Sequence, residues 1–180
     1  LQGMSPTNLI NVPSGHRVYA PGHIVQIQQG TYNTRMVYSS ISNWTLLANL
    51  SVSITPYSLS SKILISCSFA SSCAAMTTCG FRWYRATGAN ACHIAMGTGY
   101  STDWDCSFKN CGTGDPNYHQ SMAVHEYLDS PATTSTITYQ LYFRPYDSSR
   151  TTYFAGASDS ASNMDRAYTL MTMTAKEVAQ

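Results

Sequence analysis

From Thr136 to Arg144 apolar and polar side chains alternate: Ile137, Tyr139, Leu141 and Phe143 fall on one face, and Thr138, Gln140, Tyr142 and Arg144 on the other. Successive strand residues point to opposite faces of a sheet, so this period of two predicts a strand buried on one side. The pattern recurs at Leu46, Ala48, Leu50, Val52 and Ile54, and again at Ile63, Ile65, Cys67 and Phe69. Weaker versions cover Ile24 to Gln28, Phe81 to Arg85, Met122 to Tyr127 and Tyr168 to Ala175. Turn chemistry separates the runs at Thr55 to Ser58, Ala86 to Asn90, Gly112 to Asn117 and Pro145 to Ser149. No window carries an apolar stripe at helical spacing with caps at both ends. Short strands in this number and spacing predict an all-β chain, an antiparallel jelly-roll-like sandwich.

The segment ahead of the clearest strand predicts a sharp structural corner. Pro131 fixes its own backbone angle, and Asp129 and Ser130 are placed to bond neighbouring amides, so the chain leaves one strand at Tyr127-Leu128 and is aimed into the facing sheet. Read as a catalytic acid instead, Asp129 has no partner nearby in sequence.

Composition changes the picture in two ways. Formal charge is +1 and only 11% of residues are charged, so the electrostatic footprint of a nucleic-acid binder is missing. Leu, Ile, Val and Phe together number 31 of 180, and 13 Tyr, 8 Met, 6 Cys and 3 Trp must carry much of the burial. That predicts a tyrosine-rich core, one that neighbouring subunits help to complete. No apolar run reaches the roughly 18 residues that would insert into a membrane, and the start of the chain carries no signal-peptide pattern.

Two regions stand apart from the strands. Residues 1–22, with Pro6, Pro13 and Pro21, predict an extended N-terminal arm or linker, leaving residues 23–180 as the jelly-roll-like domain. Gly88 to Gln120 is a long connection of Gly, Asn, Asp, Cys and aromatics with one short strand-like piece, His93 to Met96. Connections of that length carry function more often than shorter ones do. Loops cluster at the ends of a sandwich, so Tyr100, Trp104, Tyr118 and His119 are candidates to stack on sugar rings, with Asp103, Asp105 and Asn117 as hydroxyl partners.

Four blocks bring a family into view: "LSVSITPYSLSSKILIS" (Leu50 to Ser66), "FRWYRATG" (Phe81 to Gly88), "YLDSPATTSTITYQLYF" (Tyr127 to Phe143) and "LMTMTAKEVAQ" (Leu170 to Gln180). Together they resemble a domain of tail fibres and related virion structural proteins of tailed phages, especially marine and cyanobacterial phages. The resemblance covers about Pro21 to Gln180. It implies a compact β domain, displayed as a homotrimer on the surface of a virion that is assembled in the host cytoplasm. The Gly88 to Gln120 segment departs from it, being longer and richer in cysteine.

Chemistry-bearing constellations are few. Cys67, Cys73, Cys79, Cys92, Cys106 and Cys111 contain no C-x-x-C and match no zinc spacing. Cys67 shares the inward face of its strand and reads as a buried thiol, whereas Cys106 and Cys111 are the pair best placed for a disulfide closing a small loop. Asp103, Asp105, Asn110 and Asp115 offer oxygen ligands without the glycine and terminal glutamate of a calcium loop, so no metal site and no cofactor is expected. His93, His119 and His125 form no catalytic or metal motif. Taken with these absences, the resemblance implies a non-enzymatic virion protein. Either it is a trimeric tail-fibre domain recognising a host surface polysaccharide, or it is a capsid decoration or other structural protein that docks on virion partners through its arm.

Overall fold

The computed structural model describes residues 13–14, 20–73, 78–86, 91–97, 105–111, 121–156 and 169–180. Among these the chain is entirely β, with antiparallel strands in two sheets that face each other as a sandwich. The strands are β1 (Ile24–Tyr32), β2 (Met36–Tyr38), β3 (Thr45–Ile54), β4 (Lys62–Cys73), β5 (Thr78–Arg85), β6 (Cys92–Ile94), β7 (Phe108–Cys111), β8 (Ser121–Asp129), β9 (Ile137–Pro145), β10 (Thr152–Phe154) and β11 (Met171–Val178).

The first sheet is organised around β4. One flank of β4 pairs with β11 along Lys62–Ser68 and then with β10 along Ser71–Cys73, while its other flank pairs with β8. β1 lies outside β11, and β2 outside β10. The second sheet runs β3-β9-β5, and the far flank of β5 is divided between β7 and β6. Leaving aside the three-residue strands β2 and β10, the first sheet reads β1-β11-β4-β8 and the second β3-β9-β5 with β6 and β7 sharing one place. The chain passes from one sheet to the other between β1 and β3, β3 and β4, β4 and β5, β7 and β8, β8 and β9, and β9 and β11. That wrapping is the jelly-roll order expected from the strand spacing.

The alternations place the core. Ile137, Tyr139, Leu141 and Phe143 are all buried, as are Ile63, Ile65, Cys67 and Phe69 on the facing sheet. Burial pushes the Cys67 thiol up to about 12, in keeping with an inert interior group. Aromatics supply the volume that aliphatics lack. Phe69 meets Phe81 at 5.0 Å between ring centroids, Phe143 meets Phe154 at 4.9 Å, and Phe81 stacks on Phe108 at 4.9 Å. With Trp83, Met171 and Met173 they fill the space between the sheets within one chain.

One alternation breaks. Leu46 and Ala48 were expected to share the inward face with Leu50, yet Leu47 is the buried residue and its two neighbours are half-exposed. β3 pairs Leu46 with Tyr142 and then Ser51 with Gln140, so β3 carries extra residues across that gap. Asn49 takes φ 64° there, a left-handed conformation that asparagine tolerates better than most residues. The bulge switches which side chains point inward. Nearby, β1 crosses close to β3: a Cβ on Gly30 would collide with the backbone oxygen of Ser51. Glycine is the residue that permits such an approach.

The corner between β8 and β9 carries the chain from the first sheet to the second, as read from the sequence. Pro131 is buried, Ser130 is exposed, and Ala132 takes φ 50°. Asp129 departs from its expected role. Its carboxylate, buried at the end of β8, reaches across the sandwich to Tyr139 and Arg85 of the opposite sheet. The long connection also holds more structure than expected, since both β6 and β7 fall inside it and pair with β5.

A candidate surface of aromatic and arginine side chains

The outward face of the second sheet is where its polar register turns aromatic. β5 and β9 pair Arg82 with Tyr142 and Tyr84 with Gln140, and β6 places His93 opposite Tyr84. These positions alternate with the buried Phe81, Trp83, Leu141 and Phe143, so their side chains share the outer face. Tyr84, Tyr142 and His93 form a triangle of tilted and edge-on rings. Centroids lie 5.2 Å apart for Tyr84 and Tyr142, 5.5 Å for His93 and Tyr142, and 4.9 Å for Tyr84 and His93. Burial and the charge of Arg82 both press the His93 pKa below its ordinary value, so the ring is held neutral.

Arg82 anchors the neighbouring part of the face. Its guanidinium lies 3.9 Å over the Trp44 ring, and its Nε donates to the backbone oxygen of Asp105 at 2.6 Å. Trp44 and Cys106 close over Gly80 on the same strand: a Cβ there would sit 3.0 Å from Trp44 Cη2 and 3.5 Å from Cys106 Cβ. Arg144 lies opposite Gly80, and Lys109 on its other side, so cationic residues border the aromatic group. A surface of this kind can stack flat faces on a sugar ring and donate several hydrogen bonds to hydroxyl, carboxylate or phosphate oxygens.

Of the residues singled out in the long connection, Asp105 is brought to this face, and it takes part through its carbonyl. Tyr100, Asp103, Trp104, Asn117, Tyr118 and His119 lie outside the described residues. Cys106 is a free thiol in this structure, so no disulfide joins it to Cys111. Cys106 packs over Gly80, while Cys111 is paired two residues further along β5, opposite Thr78, and its side chain lies outside the described residues.

Two polar links cross the interior. Tyr139 donates to Asp129 Oδ2 at 2.7 Å, and Arg85 Nη1 stands 3.6 Å from the same oxygen while its Nη2 contacts Cys92 Sγ at 3.3 Å. Burial raises the Tyr139 hydroxyl pKa, and the adjacent Asp129 charge raises it further, so the phenol stays a donor. For Arg85, burial opposes the charged form, but the Cys92 contact and the Asp129 charge outweigh it and hold the pKa above normal. Asp129 thus has the partners that its sequence neighbourhood lacked, in a sealed position between sheets. The second link joins Trp83 Nε1, as donor, to His125 Nδ1 at 3.0 Å, with the imidazole stacked on Phe108 at 4.5 Å. Because Nδ1 accepts, the proton of the neutral ring sits on Nε2, and burial lowers the pKa.

Sequence reading missed Trp44, Arg82, Tyr84, His93 and Tyr142 as a group. A signal was present for three of them, since Arg82, Tyr84 and Tyr142 are bulky residues at outward positions of recognisable strands. Neither the family models nor the curated proteins contain a match to this chain.

Proposed function

We propose that this chain is a structural protein of a virus particle, a jelly-roll building block that occupies the particle surface and carries out no reaction of its own. The observation that carries this reading is the strand order, β1-β11-β4-β8 against β3-β9-β5 with β6 and β7. Jelly rolls of this wrapping serve as viral capsid and lectin domains, where the sandwich is a rigid brick and the loops and outer faces make contacts. The resemblance to virion proteins supports the same reading. The free thiols of Cys67, Cys92 and Cys106 suit assembly in a reducing host cytoplasm. The test is mass spectrometry of purified particles from cells that produce the chain. Its peptides are expected in the particle fraction in many copies; recovery in the soluble fraction alone overturns the proposal.

A second reading adds host-glycan recognition, as in a tail-fibre domain, and is favoured by the outward triangle of Tyr84, Tyr142 and His93 beside Arg82. Binding to a glycan panel should be lost in Tyr142→Ala and Tyr84→Ala while the fold is kept. Undiminished binding in both variants removes this face from consideration.

A further inference from the structure

We propose that β8 is a docking edge for a second copy of this chain, the two β8 strands pairing antiparallel about a two-fold axis so that the first sheets of both copies join. Among the described residues β8 pairs only with β4, and its outward side chains Met122, Val124 and Leu128 are 59%, 69% and 43% exposed. Ser121–Asp129 contains no proline, lysine or arginine, and Glu126 is its one outward charge, so its guard against pairing is thin.

The strand's own sequence argues for a second copy as the occupant. Joined sheets must keep outward residues opposite outward residues, which rules out every register displaced by one position. Centring the pair on His125 places Met122 opposite Leu128 of the second copy, Val124 opposite its Glu126, and Ser121 opposite its Asp129, so all of β8 is paired. Moving the centre to Glu126 sets two carboxylates against each other, a repelling arrangement. Moving it to Val124 leaves Leu128 and Asp129 without a β8 partner. One in-phase register therefore matches apolar with apolar at both ends and opposes no like charges, which is the self-complementarity that a two-fold interface requires. His125 meets its own copy at the centre, and there the ring is held neutral by its buried stack on Phe108.

This inference stands on the edge itself and not on the virion reading, so a dimer in solution would hold even if the chain were absent from particles. The test is sedimentation equilibrium on the full chain at rising micromolar concentration, together with hydrogen exchange of the β8 amides. The expected mass is two chains or an even multiple, with β8 amides protected as concentration rises. The variant Met122→Lys with Val124→Lys alters exposed side chains, so circular dichroism should be unchanged while dimer dissociation rises by at least about tenfold. A mass of one or three chains, or an assembly whose mass the lysine variant leaves unchanged, overturns the proposal. Protection of β8 amides within a monomer also overturns it, because the edge is then covered by the chain itself.

Discussion

Replacing Asp129 by alanine tests whether the Arg85–Asp129–Tyr139 link holds the two sheets together. The side chains of Arg85 and Asp129 are 14% and 6% exposed, so the substitution leaves a guanidinium with little access to water and no anion beside it. Breaking a buried ion pair from one side costs about 3–5 kcal/mol. The separation here is 3.6 Å, and Arg85 keeps its Cys92 contact, which argues for the lower end of that range. The Tyr139 hydroxyl, fully buried, loses its acceptor as well, adding about 1 kcal/mol. A total near 4 kcal/mol is a large share of the roughly 5–15 kcal/mol that holds a domain folded. At about 2–4 °C per kcal/mol, the Tm should fall by roughly 8–16 °C. Urea unfolding followed by the fluorescence of the tryptophans, Trp83 among them buried in the core, measures the loss. Asp129→Asn keeps an acceptor for Tyr139 and should cost about half as much, and Tyr139→Phe, which leaves the ion pair intact, about 1 kcal/mol. If Asp129→Ala unfolds within about 1 kcal/mol of the unaltered protein, or if Tyr139→Phe costs more than Asp129→Ala, the link does not join the sheets energetically.

Stability should decline in mild acid because His125 and His93 both have pKa values pressed below normal: the unfolded chain takes up protons first, so the contribution is full above the ordinary imidazole pKa and is lost as pH falls through the folded values. Urea midpoints across that window should show the slope, and His125→Gln should flatten it; an equal slope in the variant would assign the acid sensitivity elsewhere. Gly30→Ala should destabilise by about 2–3 kcal/mol or more, because its Cβ meets the Ser51 backbone oxygen rather than a movable side chain, and a thermal melt matching that of the unaltered protein would contradict the close approach of β1 to β3. Trp44→Ala should lower stability by about 2–3 kcal/mol through loss of its packing on Arg82 and Gly80; a change below about 0.5 kcal/mol would mean that the indole adds little to that face.

The parts of the fold legible in sequence were those governed by a period of two over a long run. Ile137 to Phe143 and Ile63 to Phe69 lie in uninterrupted strands paired on both flanks, so pattern and burial coincide. β2 and β10 were invisible because three residues hold too little alternation to register, and their pairing depends on the length of β4. The bulge at Asn49 was hidden for a related reason, since Leu46, Leu47, Ala48 and Leu50 are apolar on both faces and leave the phase undefined. The aromatic face was legible only in part. Arg82, Tyr84 and Tyr142 could be placed outward from the strand phase, but that Trp44 lies over Arg82 and His93 beside Tyr142 follows from how loops and β6 return to β5, which local pattern does not encode.

The position of β11 constrains how the molecule is made. It lies between β1 and β4, pairing with both along nearly its whole length, yet it comes after both in sequence, last of the described strands. During synthesis β1 and β4 exist without the partner that separates them. Roughly a hundred residues lie between β4 and β11, and at about 5–20 residues per second the ribosome leaves that gap open for on the order of 5–20 s. Closing it brings together residues from opposite ends of the domain, the kind of late, non-local contact that slows folding. The edge of β4 along Lys62–Ser68, which β11 finally covers, is therefore unpaired throughout that interval. An unpaired edge is a template for pairing with another chain, so slowing or halting translation before Met171 should increase aggregation.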